Sequence, residues 1–356
     1  MRFSVSTFTR RVTSLLATAA AVVTGACTAD DDRTSSPTTL TLVAYDSFVL
    51  PEDAFAEFTA ATGISVEIAL GGDAGEVVSK AVLTAGNPEG DVLWGVDTTL
   101  LSRAIDGEVF DPYVAAEPAV PQRLRAAGAD VVTPVDVGHV CINYDIGDLQ
   151  SRDLQPPATL DDLIDPRYRG LLVVQNPALS SPGLAFLLAT VVRYGDGWTD
   201  YWQALVNNDV LVVDGWSDAY YSAFTRYGGD RPLVVSYSTS PPAEVLFADP
   251  PLPAGSPAPT GVLVDSCFEQ IEFAGVLRGT RHPEAARLLV DHLVSRNFQE
   301  LLPENLFVYP VRDDAELPPS FLTHAPVVRS PLRMDADTID ARRQEWIDIW
   351  TDLVLG

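Results

Sequence analysis

The 356-residue chain sets 49 acidic residues against 23 basic ones, a formal net charge of −26, and Lys80 is its single lysine. That charge excludes a nucleic-acid partner, because phosphate contacts are made by lysine and arginine. It suits the solubility of an exported protein and equally would concentrate cations near its surface.

The first predicted element is an export leader. Arg2, Arg10 and Arg11 precede an apolar, small-residue run from Leu15 to Ala26, and no acid occurs before Asp30. The run is too short and too alanine-rich for a membrane span, so residues 1–26 are expected to be a signal peptide. It closes on Thr24-Gly25-Ala26-Cys27, similar to a lipoprotein processing site with threonine where leucine is usual, and Cys27 is expected to carry the lipid. The polar, acidic, Ser/Thr/Pro-rich sequence DDDRTSSPTT then completes a tether over residues 27–39. The expected location is the extracytoplasmic face of the cell membrane, held there by lipid alone.

The remainder is long enough for two lobes. Leu40 to Tyr45 reads as a strand, Pro51 to Thr62 as a helix with Phe55 and Phe58 at helical spacing, and Ile64 to Leu70 as a second strand. A helix over Glu76 to Thr84 and a strand over Asp91 to Val96 add a further βα unit. The pattern returns as strand Gly170 to Gln175, helix Pro182 to Tyr194, strand Val210 to Val213, helix Ser217 to Tyr227 and strand Leu233 to Tyr237. This alternation predicts an α/β protein with two parallel modules. Pro283 to Ser295 is a helix with Leu288, Leu289, His292 and Leu293 on one side, and a last helix carries Ile339, Trp346, Ile349, Trp350 and Leu353 as a packing stripe.

In open α/β sheets ligands sit beyond the carboxyl ends of the strands. Those ends read YDSF (Tyr45 to Phe48), VDTT (Val96 to Thr99), NPALSSPG (Asn176 to Gly183), DGWSDAYY (Asp214 to Tyr221) and SYSTSP (Ser236 to Pro241). Any one tyrosine or tryptophan there could be core packing; the set of them, with hydroxyls and acids, favours a ligand site. Aromatic faces with a carboxylate suit an organic cation, each cation–π contact contributing roughly 0.5–2 kcal/mol. LSSPG at a helix start offers hydroxyls and free amides to a phosphate, or is simply a capped helix start. Catalysis finds no centre, since none of the four histidines lies in HExxH or beside GxSxG, and no cofactor motif occurs. Tyr220-Tyr221 could offer phenolates to ferric iron, which would also want histidine or an anion. Cys141 and Cys267 form an even pair open to a disulfide or to two small buried thiols, and no spacing suggests zinc.

YDSF, LWGVDTTLL, NPALSSPGLAFLL, DGWSDAYYSAF, SYSTSP and ENLFVYPV resemble, in order, the thiamine-binding proteins of ATP-binding-cassette (ABC) importers, from Leu40 to the final ARRQEWIDIW helix. The resemblance implies the type II periplasmic-binding-protein fold, two α/β lobes joined by a hinge of crossing strands. It places lobe 1 at 40–136 plus 268–310, lobe 2 at 137–267, and a helical segment packed on the body at 311–356. Thiamine, its monophosphate or its pyrophosphate would be the ligand and an ABC permease the partner of a monomeric, non-enzymatic protein; ferric iron or a polyamine is the alternative cargo. By the same resemblance Asp46 would face the cation, Trp216 and Tyr237 would sandwich or edge its rings, Asp97 would line the first-lobe wall, and Ser180 and Ser181 would reach a phosphate. Tyr45, Ser47, Tyr220 and Thr239 complete the expected site from the same loops, with Phe307 where the family commonly has tryptophan. Cys141 and Cys267 would both fall near the crossing strands, where a disulfide is geometrically plausible.

Overall fold

The computed structural model describes residues 38–125, 130–253 and 255–356. The expected leader over 1–26, the lipidation candidate Cys27 and all but the end of the tether lie outside the described residues.

Nine strands form the frame: β1 (Thr39–Ala44), β2 (Ser65–Leu70), β3 (Val92–Asp97), β4 (Thr133–Asp145), β5 (Leu172–Gln175), β6 (Leu211–Val213), β7 (Leu233–Tyr237), β8 (Thr260–Val276) and β9 (Tyr309–Pro310). Their order is β2-β1-β3-β8-β4-β7-β5-β6, with β9 added on β4. At one end β2, β1 and β3 run parallel, and at the other β7, β5 and β6 do. The two long antiparallel strands between them, β4 and β8, pair along their length from Thr133↔Ala274 to Asp145↔Thr260. Each end is thus an α/β lobe, and both lobes share the same pair of crossing strands.

The parallel strands form where the sequence offers short apolar runs ending in turn residues. β3 is buried at all six positions and β5 at all four, as strands covered on both faces must be. Their crossovers are helices such as Ala74–Leu83, capped by Asp73 through its own side chain, and Ser181–Tyr194, with proline in its first turn. The last helix, Ala336–Val354, starts on an Asp335 cap. It sets Trp350 edge-on to Trp202 of the second lobe, with ring centroids 5.4 Å apart, while Arg343 donates to the Thr99 carbonyl of the first.

Two helical expectations need correction. Ser217 to Tyr227 is not one helix: a turn at Trp216–Asp218 runs into a π-turn at Ala219–Ala223 and a 3₁₀ turn at Thr225–Tyr227. The wider π-turn rotates Tyr220 inward, 3% exposed, and leaves Tyr221 51% exposed. On the last helix Ile347 is buried where Ile349 was expected, because the buried stripe follows Ile339, Trp346 and Trp350 and turns Ile349 toward solvent. Leu288 is likewise largely exposed, while Leu289 and Leu293 enter the core.

Candidate functional site

A cavity opens between the lobes at the carboxyl ends of the parallel strands. Eight of the expected residues line it: Tyr45, Asp46, Ser47, Ser181, Trp216, Tyr220, Tyr237 and Phe307. Tyr45 directly follows β1, edge-on to Phe48, whose ring in turn meets Trp94. Its place requires Gly95, because a Cβ there would lie 2.9 Å from Tyr45 Cε1 and the backbone has φ +103°. Asp46 follows on the exposed rim.

On the facing wall the indole of Trp216 is fixed from three sides. It stacks on Tyr220 at 4.9 Å and 17°, meets Tyr221 edge-on, and donates Nε1–H to Ser236 Oγ at 3.0 Å. With one face taken by Tyr220, the opposite face is the one on which a flat ligand can stack. Tyr220 donates its hydroxyl to Glu244 Oε1 at 2.7 Å, and Tyr227 and Arg226 also bind that carboxylate. Burial and the Glu244 charge hold the Tyr220 phenol far above its ordinary value, so it stays a neutral donor.

Three expected residues lie behind the wall. Asp97 is fully buried and accepts from Thr99 N and Oγ1, Leu100 N and Gln270 Nε2. Gln270 also donates to Ser181 Oγ at 2.8 Å, so Asp97 acts on the wall through Gln270 and Ser181. Ser180 is 1% exposed beneath the helix start, and Thr239 is buried with its hydroxyl donated to the Phe307 carbonyl. Phe307 has φ +55°, unusual for a bulky residue; that bond and its N–H to Leu302 hold it there, edge-on to Phe247 across the cavity mouth.

Sequence reasoning missed Asp73, Glu272, Tyr227 and Phe247, all in the lining, and singled out Tyr221, also in the lining, only as a possible iron ligand. Asp73 is the most informative. From the first lobe its carboxylate accepts Ala74 N at 2.7 Å, Ser181 N at 3.2 Å and Trp216 N at 2.9 Å, the last two belonging to the second lobe. Burial pushes its carboxyl up to about 6, against the bonds from Trp216 N and Ser181 N, which favour the anion. The lobes also touch at Gly75, where a Cβ would lie 2.6 Å from the Leu179 carbonyl carbon. Glu272 on β8 forms part of the cavity floor, directly opposite Asp136 on β4. The Trp94 indole N–H is shared between them, 3.1 Å from Glu272 Oε2 and 3.2 Å from Asp136 Oδ2. Burial raises both carboxyls, Asp136 to about 7 and Glu272 well above the ordinary range; the Asp97 charge adds to the rise at Asp136, and the Asp136 charge to the rise at Glu272. Nothing in the local sequence marks Asp73 or Glu272 as a site residue, and only the pairing of β4 with β8 brings Asp136 and Glu272 together.

Cys141 and Cys267 are joined by a disulfide between β4 and β8. Among the described residues no cluster of three or more histidine, cysteine, aspartate or glutamate side chains could hold a metal, and no helix is long and apolar enough to cross a membrane.

The model of a family described as "Bacterial extracellular solute-binding protein" matches residues 87–341. The thiamine-binding periplasmic protein of Salmonella typhimurium is 30% identical over 318 residues, covering 87% of this chain and 92% of that protein. A solved periplasmic thiamin binding protein superposes with a TM-score of 0.78 at 27% identity, over 89% of this chain and 96% of that one. The ferric binding protein from Campylobacter jejuni has the same fold at a TM-score of 0.68 and 15% identity, over 88% and 99%.

Proposed function

Because the chain belongs to the bacterial extracellular solute-binding family, we propose that it captures thiamine or a thiamine phosphate between its lobes and delivers it to the permease of an ABC importer. The observation that carries this reading is the aromatic wall: Trp216 is held rigidly on Tyr220, with Tyr45 and Tyr237 in the same cavity and Asp46 at its rim. Thiamine joins a flat aminopyrimidine to a flat, permanently cationic thiazolium, and such a wall offers it both stacking and cation–π attraction. The relatives' names agree with the chemistry.

Capture on this reading is hinge closure. An open cleft admits the ligand, and rotation about β4 and β8 brings Asp73 to Ser181 and Trp216 and Gly75 to Leu179. The permease reads the closed form. We place the lobe boundaries at 40–136 with 268–310 and at 137–267, with 311–356 packed on the body, and we place the protein outside the cytoplasmic membrane as a monomer anchored through Cys27 after loss of residues 1–26. We read the chain as a carrier, as the names of its thiamine-binding periplasmic relatives describe them.

Iron is disfavoured as cargo because the Tyr220 hydroxyl is already bonded to Glu244 Oε1 at 2.7 Å and its ring is stacked on Trp216. Calorimetric titration of ligand-stripped mature protein with thiamine, its monophosphate and its pyrophosphate tests the proposal. One-to-one binding with quenching of tryptophan fluorescence is expected. Binding of ferric citrate or spermidine in place of all three would refute it.

A further inference from the structure

The cavity floor contains two acids that the aromatic wall does not explain. Asp136 and Glu272 face each other across adjacent antiparallel strands, 0% and 4% exposed, with one indole N–H between them. Asp136 Oδ1 is buried without a hydrogen-bond partner. The groups around them are Trp94 and Asp97 from β3, Tyr45 just after β1, Tyr237 from β7 and, farther off, Asp73. None is a cation. Two carboxylates so placed cannot both ionise, so the pair retains at least one proton. With two protons it is neutral, and with one it presents a single negative charge. Glu272 is the member that reaches the cavity; Asp136 acts only through it.

We propose that Glu272, backed by Asp136, is the charge that selects a monocationic ligand, and that capture of the cation expels one proton from the doubly protonated pair to solvent. The inference rests on the thiamine reading and specifies how that site discriminates. No covalent bond forms with the ligand. One positive charge enters as one proton leaves, so the buried floor never carries an uncompensated charge. Burial supports this, because it lifts both carboxyls toward pH values where the second proton is exchangeable. Linkage then fixes the sign: affinity for the cation falls as the pH falls into the range where the pair takes up its second proton, by up to about tenfold per pH unit.

The test is titration of the mature protein with thiamine from about pH 8.5 to about pH 6, in buffers of different ionisation enthalpy so that released protons are counted. The neutral aminopyrimidine fragment of thiamine serves as the uncharged probe. Wild type is expected to lose thiamine affinity toward acid pH with proton release on binding, while fragment affinity stays flat. In Asp136→Asn the thiamine profile should move to higher pH, because the singly charged Glu272 no longer accepts a hydrogen bond from a protonated Asp136, and in Glu272→Gln the profile should flatten with tenfold or greater loss at neutral pH. Neither shift is expected of a residue that only supports the fold, and far-ultraviolet dichroism with melting curves identifies variants that fail to fold. Thiamine bound by wild type with pH-independent affinity and no proton release overturns this inference alone; absence of thiamine binding at every pH overturns the thiamine reading with it.

Discussion

Gly75→Ala should separate closure from folding. Gly75 lies in the first turn of the helix Ala74–Leu83, where alanine itself favours the helix by up to about 1 kcal/mol. The new methyl would lie 2.6 Å from the Leu179 carbonyl carbon on the other lobe. Restoring ordinary contact needs the lobes to part there by about 1 Å. The Asp73 carboxylate is two residues away, and its bonds to Ser181 N and Trp216 N, at 3.2 and 2.9 Å, would then pass out of range. Hydrogen bonds to a charged group contribute about 1.5–3 kcal/mol each, so with partial relaxation about 2–3 kcal/mol of closure energy is lost. That corresponds to thiamine binding weakened roughly 30- to 150-fold. Calorimetric titration measures the affinity, small-angle scattering the compaction on ligand addition, and scanning calorimetry the unliganded melting temperature. Weak binding with unchanged or raised melting is expected. Wild-type affinity and compaction would refute the claim that the lobes close through Gly75 and Leu179, and a collapse in melting temperature would show that Gly75 serves the fold instead.

Trp216→Ala should reduce thiamine affinity at least about tenfold, since stacking and cation–π attraction are lost together, with little change in melting because the ring is only half-buried; full affinity in a folded variant would remove the aromatic wall from the site. Thiamine monophosphate should gain on thiamine as the pH falls through about 6, because the Ser181 amide expected to meet a phosphate is occupied by Asp73, which becomes neutral below that point. The affinity ratio in Asp73→Asn should vary less with pH, and identical slopes would show that the ligand's own phosphate titration is the whole effect. The double variant Cys141→Ser, Cys267→Ser should lose about 3–5 kcal/mol of unfolding free energy in urea, since the bond spans 126 residues, while thiamine affinity changes less than about threefold. An unchanged urea midpoint would show that the unfolded chain is not constrained by the bond.

The parallel strands and their helices were legible because each is local: an apolar run, a turn residue, a periodic helix. Tyr45, Trp216 and Tyr237 were legible as aromatics at strand ends, a position with a physical meaning in α/β sheets. The crossing strands were not read from residue pattern. β8 runs through Asp265, Ser266, Glu269, Gln270 and Glu272, a polar sequence with no period-2 alternation, and is a strand because β4 and β3 hold its two sides. Asp73 caps its helix as many aspartates do, and its second role exists only when the lobes meet. Asp97 pointed to the site by its place in LWGVDTTLL, yet its bonds to Thr99 and Leu100 consume one oxygen locally and draw it into the wall. The π-turn escaped detection because three- and four-residue spacings describe an α-helix, and an inserted residue changes only which of Tyr220 and Tyr221 faces inward.

The kind of motion the hinge permits follows from where the β4–β8 ladder breaks. Pairing runs from Val140↔Phe268 to Ile142↔Leu263, so several residues of β8 bulge opposite Cys141. A bulge is where a strand bends most readily, and it forfeits ladder bonds. Ser266 replaces part of what is lost, its hydroxyl accepting Ile142 N at 2.8 Å and donating to the Leu263 carbonyl at 2.7 Å. The disulfide ties Cys267 of the bulge to Cys141 at the same level. Two strands pinned at one point and free to bend there can rotate about it, but one cannot slide past the other without breaking the pin. The last helix agrees with this, since it contacts Trp202 in one lobe and Thr99 in the other, which a slide would shear and a rotation about a nearby axis need not. Closure by rotation also explains why the contacts made across the cleft, Asp73 with Ser181 and Trp216, and Gly75 with Leu179, involve helix starts at the cavity wall: a rotating lobe brings its far edge, not its hinge, against its partner.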